Sequence, residues 1–247
     1  MIHKNECYRL GGRQPMSESE ASSFDGDYGR DYDLLIRQII TGYEAMHRIG
    51  LSALETHLPP QAELLVLGSG RGQELCAYAQ ANPGWRICAV EPSAQMRAVS
   101  LTRIREVGAE ARLRFHAGYL HEMADSAPFD AATLMLVLHF VADDGAKLAL
   151  LQELHRRLSP GGLLIYADYF RHEPAAVQAQ VFRMWAHQMR ENGMPPAVID
   201  KMFEMAARQL HPMTTERTLE LMATAGFRDG IRLFVTLADH CWMFRRE

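Results

Sequence analysis

The chain has 247 residues, 48% hydrophobic and 23% charged, which suits one α/β domain with a large core, or such a domain carrying a helical insertion. A net charge of −4 and a pI near 6.3, with only short basic pairs such as Arg156-Arg157 and Arg245-Arg246, argue against a nucleic-acid substrate, whose phosphates need a basic face. No apolar run is long enough to cross a bilayer and Met1-Ile2-His3-Lys4-Asn5-Glu6 holds no apolar signal core, so no membrane role and a cytoplasmic location are expected.

Residues 1 to 30 are polar, with Gly11-Gly12 and Ser17-Glu18-Ser19-Glu20, and are expected to be loosely ordered. The main domain is expected over 31–247. Leu35, Ile36, Ile39, Ile40, Tyr43, Met46 and Ile49 recur at helical spacing and predict one or two helices, with Gly42 as the break. Pro59-Pro60 stops the helix and leads to a first strand at 62–67. A helix follows over Gln73 to Ala81, then a second strand over Trp85 to Val90. Ser93 is placed to cap a helix running from Ala94 to about Val107. Leu113 and Phe115 mark a third strand, and Ala131 to Val137 a fourth with the continuous apolar character of a parallel strand buried on both faces. Asp143 or Asp144 caps a helix with Leu148, Leu151, Leu154 and Leu158 on one face; Ser159-Pro160-Gly161-Gly162 then turns into a fifth strand, Leu163 to Ala167.

This alternation predicts a doubly wound, Rossmann-like and mostly parallel sheet with helices on both faces. Residues 174–213 interrupt it with two helices broken at Gly193-Met194-Pro195-Pro196. Their methionines, with Phe182, Trp185 and Phe203, leave three readings open: ordinary core, a lid over the site, or a homodimer interface. A helix at Thr215 to Ala225 and two antiparallel strands, Ile231 to Leu237 and Cys241 to Arg245, complete the chain. Cys7, Cys76, Cys88 and Cys241 have no metal-ligand spacing, so no metal is expected, and the last three read as buried thiols.

The chemistry-bearing stretch is Leu64-Leu65-Val66-Leu67-Gly68-Ser69-Gly70-Arg71-Gly72, a buried strand running into a glycine turn and a helix. Gly68, Gly70 and Gly72 let main-chain N–H groups approach a ligand, and Glu91 at the end of the next apolar run is spaced to hold ribose hydroxyls. A nucleoside-type cofactor follows. Dinucleotide sites favour G-x-G-x-x-G, whereas the third glycine here comes one position early, which counts against a nicotinamide-dependent oxidoreductase.

The glycine pattern, with V-E-P-S at 90–93, F-D-A-A-T-L at 129–134, L-S-P-G-G at 158–162 and the late Gly226-Phe227, resembles the class I S-adenosylmethionine-dependent methyltransferases over about residues 60–247. From about Phe24 the chain is also similar to the carboxy-S-adenosylmethionine synthase branch and its ordinary methyltransferase relatives. The resemblance implies seven strands with the last antiparallel, and S-adenosylmethionine held by Tyr43, Gly68, Ser69, Gly70, Gly72, Glu91, Pro92, Met96, Gly118, Tyr119, Leu120 and Leu136. Val66 and Gly118 stand where many members carry acidic residues, although backbone groups at Tyr119 and Leu120 are placed to read the adenine edge. Leu221 stands where the synthases place an arginine for the extra carboxylate, which disfavours that activity.

The expected activity is therefore methyl transfer to O or N of a small, apolar or aromatic metabolite, with a synthase-like or tRNA-modification-related enzyme and a non-catalytic cofactor-binding partner protein as alternatives. His139 follows the fourth strand, where an imidazole can deprotonate an acceptor or simply pack. Asp168 and Tyr169, at the end of the fifth strand, either orient the acceptor or cap the next helix.

Overall fold

The computed structural model describes residues 27–247, with side chains from Tyr32 onward. The expected loose order of 1–30 falls outside the described residues up to position 26, and from Asp27 the chain is helical. Helix α1 (Asp27–Ile39) and α2 (Tyr43–His57) meet at Gly42, whose φ of 81° places it in the left-handed region. A Cβ at Gly42 would lie 3.0 Å from the Phe234 ring, so the break is also a point of close packing.

Then follow β1 (Glu63–Leu67), α3 (Gln73–Ala81), β2 (Arg86–Val90), α4 (Ala94–Glu106), β3 (Leu113–His116), β4 (Phe129–Met135), α5 (Ala146–Arg157) and β5 (Leu158–Tyr169). The insertion forms α6 (Ala175–Glu191) and α7 (Pro196–Gln209), and the chain closes with α8 (Thr215–Thr224), β6 (Phe227–Val235) and β7 (Asp239–Arg246). The strands make one sheet in the order β3-β2-β1-β4-β5-β7-β6, with β7 antiparallel to both neighbours. The strand order reverses between β1 and β4, so the crevice for a ligand lies beyond their carboxyl ends.

Alternation along each strand sorts the core into two layers. Leu65 and Leu67, with Leu164, Tyr166, Trp242 and Phe244, face α5 and α8, while Leu64 and Val66, with Ile165, Ala167 and Met243, face the layer of α1 to α4. The Val66 side chain is thus committed to the core.

Three local expectations shift for identifiable reasons. β4 stops at Met135 rather than Val137, because Leu136 adopts a φ of 59° and turns the chain out of the sheet. β5 starts at Leu158: Phe129 pairs with Leu158 and Ala131 with Leu163, so the Ser-Pro-Gly-Gly turn is an excursion within the strand. Gly145 is the N-cap of α5; Asp144 accepts a 3.2 Å hydrogen bond from the Ala146 N–H, whereas Asp143 pairs with Arg217. Ser93 caps α4 as expected, its Oγ accepting from Met96 N–H at 3.1 Å. Cys88 and Cys241 are buried, while Cys76 is half-buried.

The insertion builds a third apolar cluster. Val181, Trp185, Met189, Met194 and Ile199 pack against Leu35 and Ile39 of α1 and Tyr169 of β5. Trp185 Nε1 donates to the Ile39 carbonyl at 2.7 Å, satisfying an acceptor that the end of α1 leaves free. Gln38 Nε2 donates to the Asn192 carbonyl at 3.1 Å and Asn192 Nδ2 donates to the Gln38 carbonyl at 3.0 Å. Within one chain, α6 is therefore docked on α1.

Candidate active site

A cavity of about 290 Å³ lies over the carboxyl ends of β1, β2, β4 and β5, roofed by α1, α6 and α7. Its two ends differ in chemistry.

At one end the glycine turn meets Glu91. All three glycines have positive φ, 71° at Gly68, 51° at Gly70 and 84° at Gly72, but for different reasons. A Cβ at Gly68 would lie 2.3 Å from Val137 Cγ2, and one at Gly72 would lie 2.6 Å from Ser100 Oγ, so these two are required by packing. At Gly70 a Cβ would meet nothing within 4 Å, and this is where the turn opens to the cavity. The Gly70 N–H donates to Glu91 Oε2 at 2.8 Å and the Ser93 N–H to Oε1 at 3.0 Å. These two bonds fix the carboxylate between the glycine turn and the start of α4, on the cavity wall, a placement that suits a cis-diol such as a ribose. Pro92, Met96, Gly118 and Tyr119 complete this end.

The adenine-reading expectation meets a neighbour that the pattern did not disclose. The Tyr119 N–H donates to Glu122 Oε2 at 2.7 Å, and a Cβ at Gly118 would lie 2.3 Å from the same oxygen. The Glu122 carboxylate thus fills the space beside Gly118 and occupies the Tyr119 amide. Leu120 is fully buried in the α5 layer and does not line the cavity. Tyr43, Ser69 and Gly72 are likewise buried or packed behind it; the Tyr43 ring sits edge-on to His47 at 4.4 Å, and burial pushes its hydroxyl pKa well up. Eight of the cofactor positions, namely Gly68, Gly70, Glu91, Pro92, Met96, Gly118, Tyr119 and Leu136, do come together on the cavity wall.

At the other end, Leu136 turns the chain into a single 3-10 turn, Leu138–Phe140, that presents His139 to the cavity. His139 Nδ1 is hydrogen-bonded to Asp168 Oδ1, and Asp168 is held in turn by the Tyr166 hydroxyl at 3.0 Å and the Tyr169 N–H at 3.0 Å. A carboxylate on Nδ1 favours the tautomer in which Nε2 is the free acceptor. Lys147 braces the turn from beneath: fully buried, it donates from Nζ to the Leu138 carbonyl at 2.7 Å, and burial lowers its pKa to about 8. The His211 N–H, just past α7, donates to the His139 carbonyl at 2.7 Å and ties the insertion to this turn.

The remaining walls are apolar and come from segments that sequence reasoning assigned to core or lid: Ile36 and Ile39 of α1, Trp185 of α6, Met202 and Phe203 of α7. Asp239, at the start of β7, also reaches the cavity, though its place beside a hairpin turn gave no such signal.

Sheet order, glycine turn and buried carboxylate together define a Rossmann-like protein built to hold a nucleoside cofactor. Residues 65–164 match the family described as a methyltransferase domain. The carboxy-S-adenosyl-L-methionine synthase of Pseudomonas fluorescens (strain SBW25) is 26% identical over 235 residues, 91% of this chain and 92% of that protein. Among solved structures, the mitomycin 7-O-methyltransferase MmcR shares the fold with a TM-score of 0.61 at 16% identity, over 92% of this chain but only 60% of its own length. The N-methyltransferase NodS of Bradyrhizobium japonicum WM9, solved with S-adenosyl-L-homocysteine, does so with a TM-score of 0.55 at 13% identity, over 82% of this chain and 86% of its own. In this matched segment and in its fold the chain is similar to the S-adenosylmethionine-dependent methyltransferases, which makes S-adenosylmethionine the cofactor to fit against the cavity.

Proposed function

We propose that the protein transfers a methyl group to an oxygen or nitrogen of a small, apolar or aromatic metabolite. The observation that carries this reading is that Glu91 and His139 line opposite ends of one cavity, a diol-binding carboxylate at one and an oriented imidazole at the other. The glycine turn fits the cofactor, because Gly68 and Gly70 line the cavity and the space beside Gly70 is open. When bound, S-adenosylmethionine supplies an electrophilic methyl carbon on a positively charged sulfur. An acceptor hydroxyl or amine placed against this methyl would lie beside His139, whose Nε2 would take the acceptor's proton.

The chain's own work is to orient and to exclude water. Trp185, Met202 and Phe203 cover the acceptor end, and their packing on α1 supports reading the insertion as a cover within one chain rather than as a dimer interface. A cavity at the lower end of the usual small-molecule range, beneath a helical roof, favours a small acceptor over a nucleic acid. A synthase handling a carboxylated cofactor needs a cation for the extra charge, and no lysine or arginine lines the cavity among the described residues, while Leu221 lies in the core.

The test is incubation with methyl-labelled S-adenosylmethionine and a metabolite extract, followed by mass spectrometry. A labelled small molecule that disappears with His139→Ala supports the proposal. No labelled product despite bound cofactor would favour a non-catalytic partner protein.

A further inference from the structure

The acceptor end holds a carboxylate for which the transfer step has no use. Asp239 lines the cavity and is 2% exposed. Its Oδ2 accepts from Thr236 Oγ1 at 3.3 Å, and its backbone N–H and carbonyl are both engaged by Thr236. Oδ1 has no partner among the described residues. Burial raises its pKa to about 7, an effect that the Thr236 hydrogen bond opposes and the charge of Asp168 increases.

A buried, half-satisfied carboxylate facing a cavity is an unfavourable feature unless something brings it a compensating charge. None of the described residues supplies one. Lys147 is committed to the Leu138 carbonyl and does not line the cavity, His139 is held by Asp168, and no lysine or arginine lines the cavity among the described residues. The walls beside Asp239 are π-rich. Tyr169 pairs with Asp239 across β5 and β7, the Trp185 ring lies 5.4 Å from that of Tyr169, and Phe203 lies 5.7 Å from Trp185. Aromatic faces attract ammonium groups, and a carboxylate among them supplies the charge-assisted hydrogen bond.

We propose that Asp239 selects an acceptor carrying a protonated amino group, bound as the ammonium at Oδ1 between Tyr169 and Trp185. The assignment rests on reading the cavity as the methyl-transfer site, and the amine is the handle by which the acceptor is held, separate from the atom that takes the methyl.

The full chain loaded with S-adenosylhomocysteine is titrated calorimetrically at about pH 8, where Asp239 is ionised, with two probes of matched shape, phenethylamine and 2-phenylethanol. The amine binds wild type at least about tenfold more tightly than the alcohol, and the ratio falls to about one in Asp239→Asn. Asparagine keeps an acceptor for the Thr236 hydroxyl, and unchanged affinity for S-adenosylhomocysteine reports that the variant is folded. Equal binding of the two probes to wild type, no amine binding, or a preference that survives in Asp239→Asn overturns the proposal. The wild-type comparison decides even if the variant does not fold. An amine preference in a protein that fails to bind S-adenosylhomocysteine would keep the amine site and overturn the methyl-transfer reading instead.

Discussion

Alanine substitution at the three turn glycines should separate packing from ligand approach. Each position has positive φ, where a side chain costs about 1–2 kcal/mol, so all three variants lose at least that much stability. Gly70→Ala adds no clash, since nothing lies within 4 Å of the new methyl. Gly72→Ala places it 2.6 Å from Ser100 Oγ and 3.1 Å from Ser100 Cα, and backbone atoms of α4 cannot rotate away; overpacking brings its total cost to about 2–5 kcal/mol. Gly68→Ala meets Val137 Cγ2 at 2.3 Å, a stiff β-branched side chain that itself lines the cavity, and falls in the same range. Binding should follow a different order. The Gly70 methyl points into the space the cofactor must approach, so Gly70→Ala should weaken S-adenosylhomocysteine by about tenfold or more while remaining the most stable of the three. Urea unfolding and calorimetric titration of the three variants measure both orders. If Gly70→Ala binds as wild type does, the cofactor does not lie against this turn.

Glu91→Ala should weaken S-adenosylhomocysteine by about 1.5–3 kcal/mol, the loss of hydrogen bonds to a charged acceptor, as read by calorimetry; unchanged affinity would move the ribose elsewhere. Asp168→Asn removes the acceptor that favours Nδ1–H on His139; nitrogen NMR of the imidazole should show a shifted tautomer balance, and methyl transfer should fall by about 10²–10⁴ with cofactor affinity unchanged. Burial raises the Glu74 carboxyl to about 7, against the opposing hydrogen bond from Tyr78, so the native state keeps a proton that the unfolded chain releases above about 4.5. Its contribution to stability is full below pH 4.5 and is lost as pH rises through 7. Glu74→Gln cannot ionise and should therefore gain on the order of 3 kcal/mol relative to wild type between about pH 4.5 and 8 in urea unfolding; a difference independent of pH would contradict the burial argument.

Much of the fold was legible because glycine, proline and caps punctuate continuous apolar runs. Gln73–Ala81 is a helix as predicted, and Ser93 caps its helix as read. Apolar periodicity does not say what a buried side chain faces, and the differences arise there. Residues 136–141 continue the hydrophobic run of β4, yet most of them line a cavity after the left-handed turn at Leu136. Ile36 and Ile39 read as a core stripe and are cavity wall as well. Lys147 on the inner side of α5 and Asp239 at the mouth of a hairpin are brought into play only by how their segments fold around the cavity, whereas the Glu122 carboxylate comes to lie beside Gly118 through a local capping box with Tyr119. By contrast, Glu91 and His139 were readable because each follows a strand at the carboxyl edge of the sheet, where ligands of this architecture bind.

Calorimetric titration of the full chain with S-adenosylhomocysteine, with NADH as control, tests the cofactor assignment most directly. One saturable site for S-adenosylhomocysteine and none for NADH is the predicted result, and no heat with S-adenosylhomocysteine at roughly millimolar concentration, the weak end of measurable affinity, would contradict it.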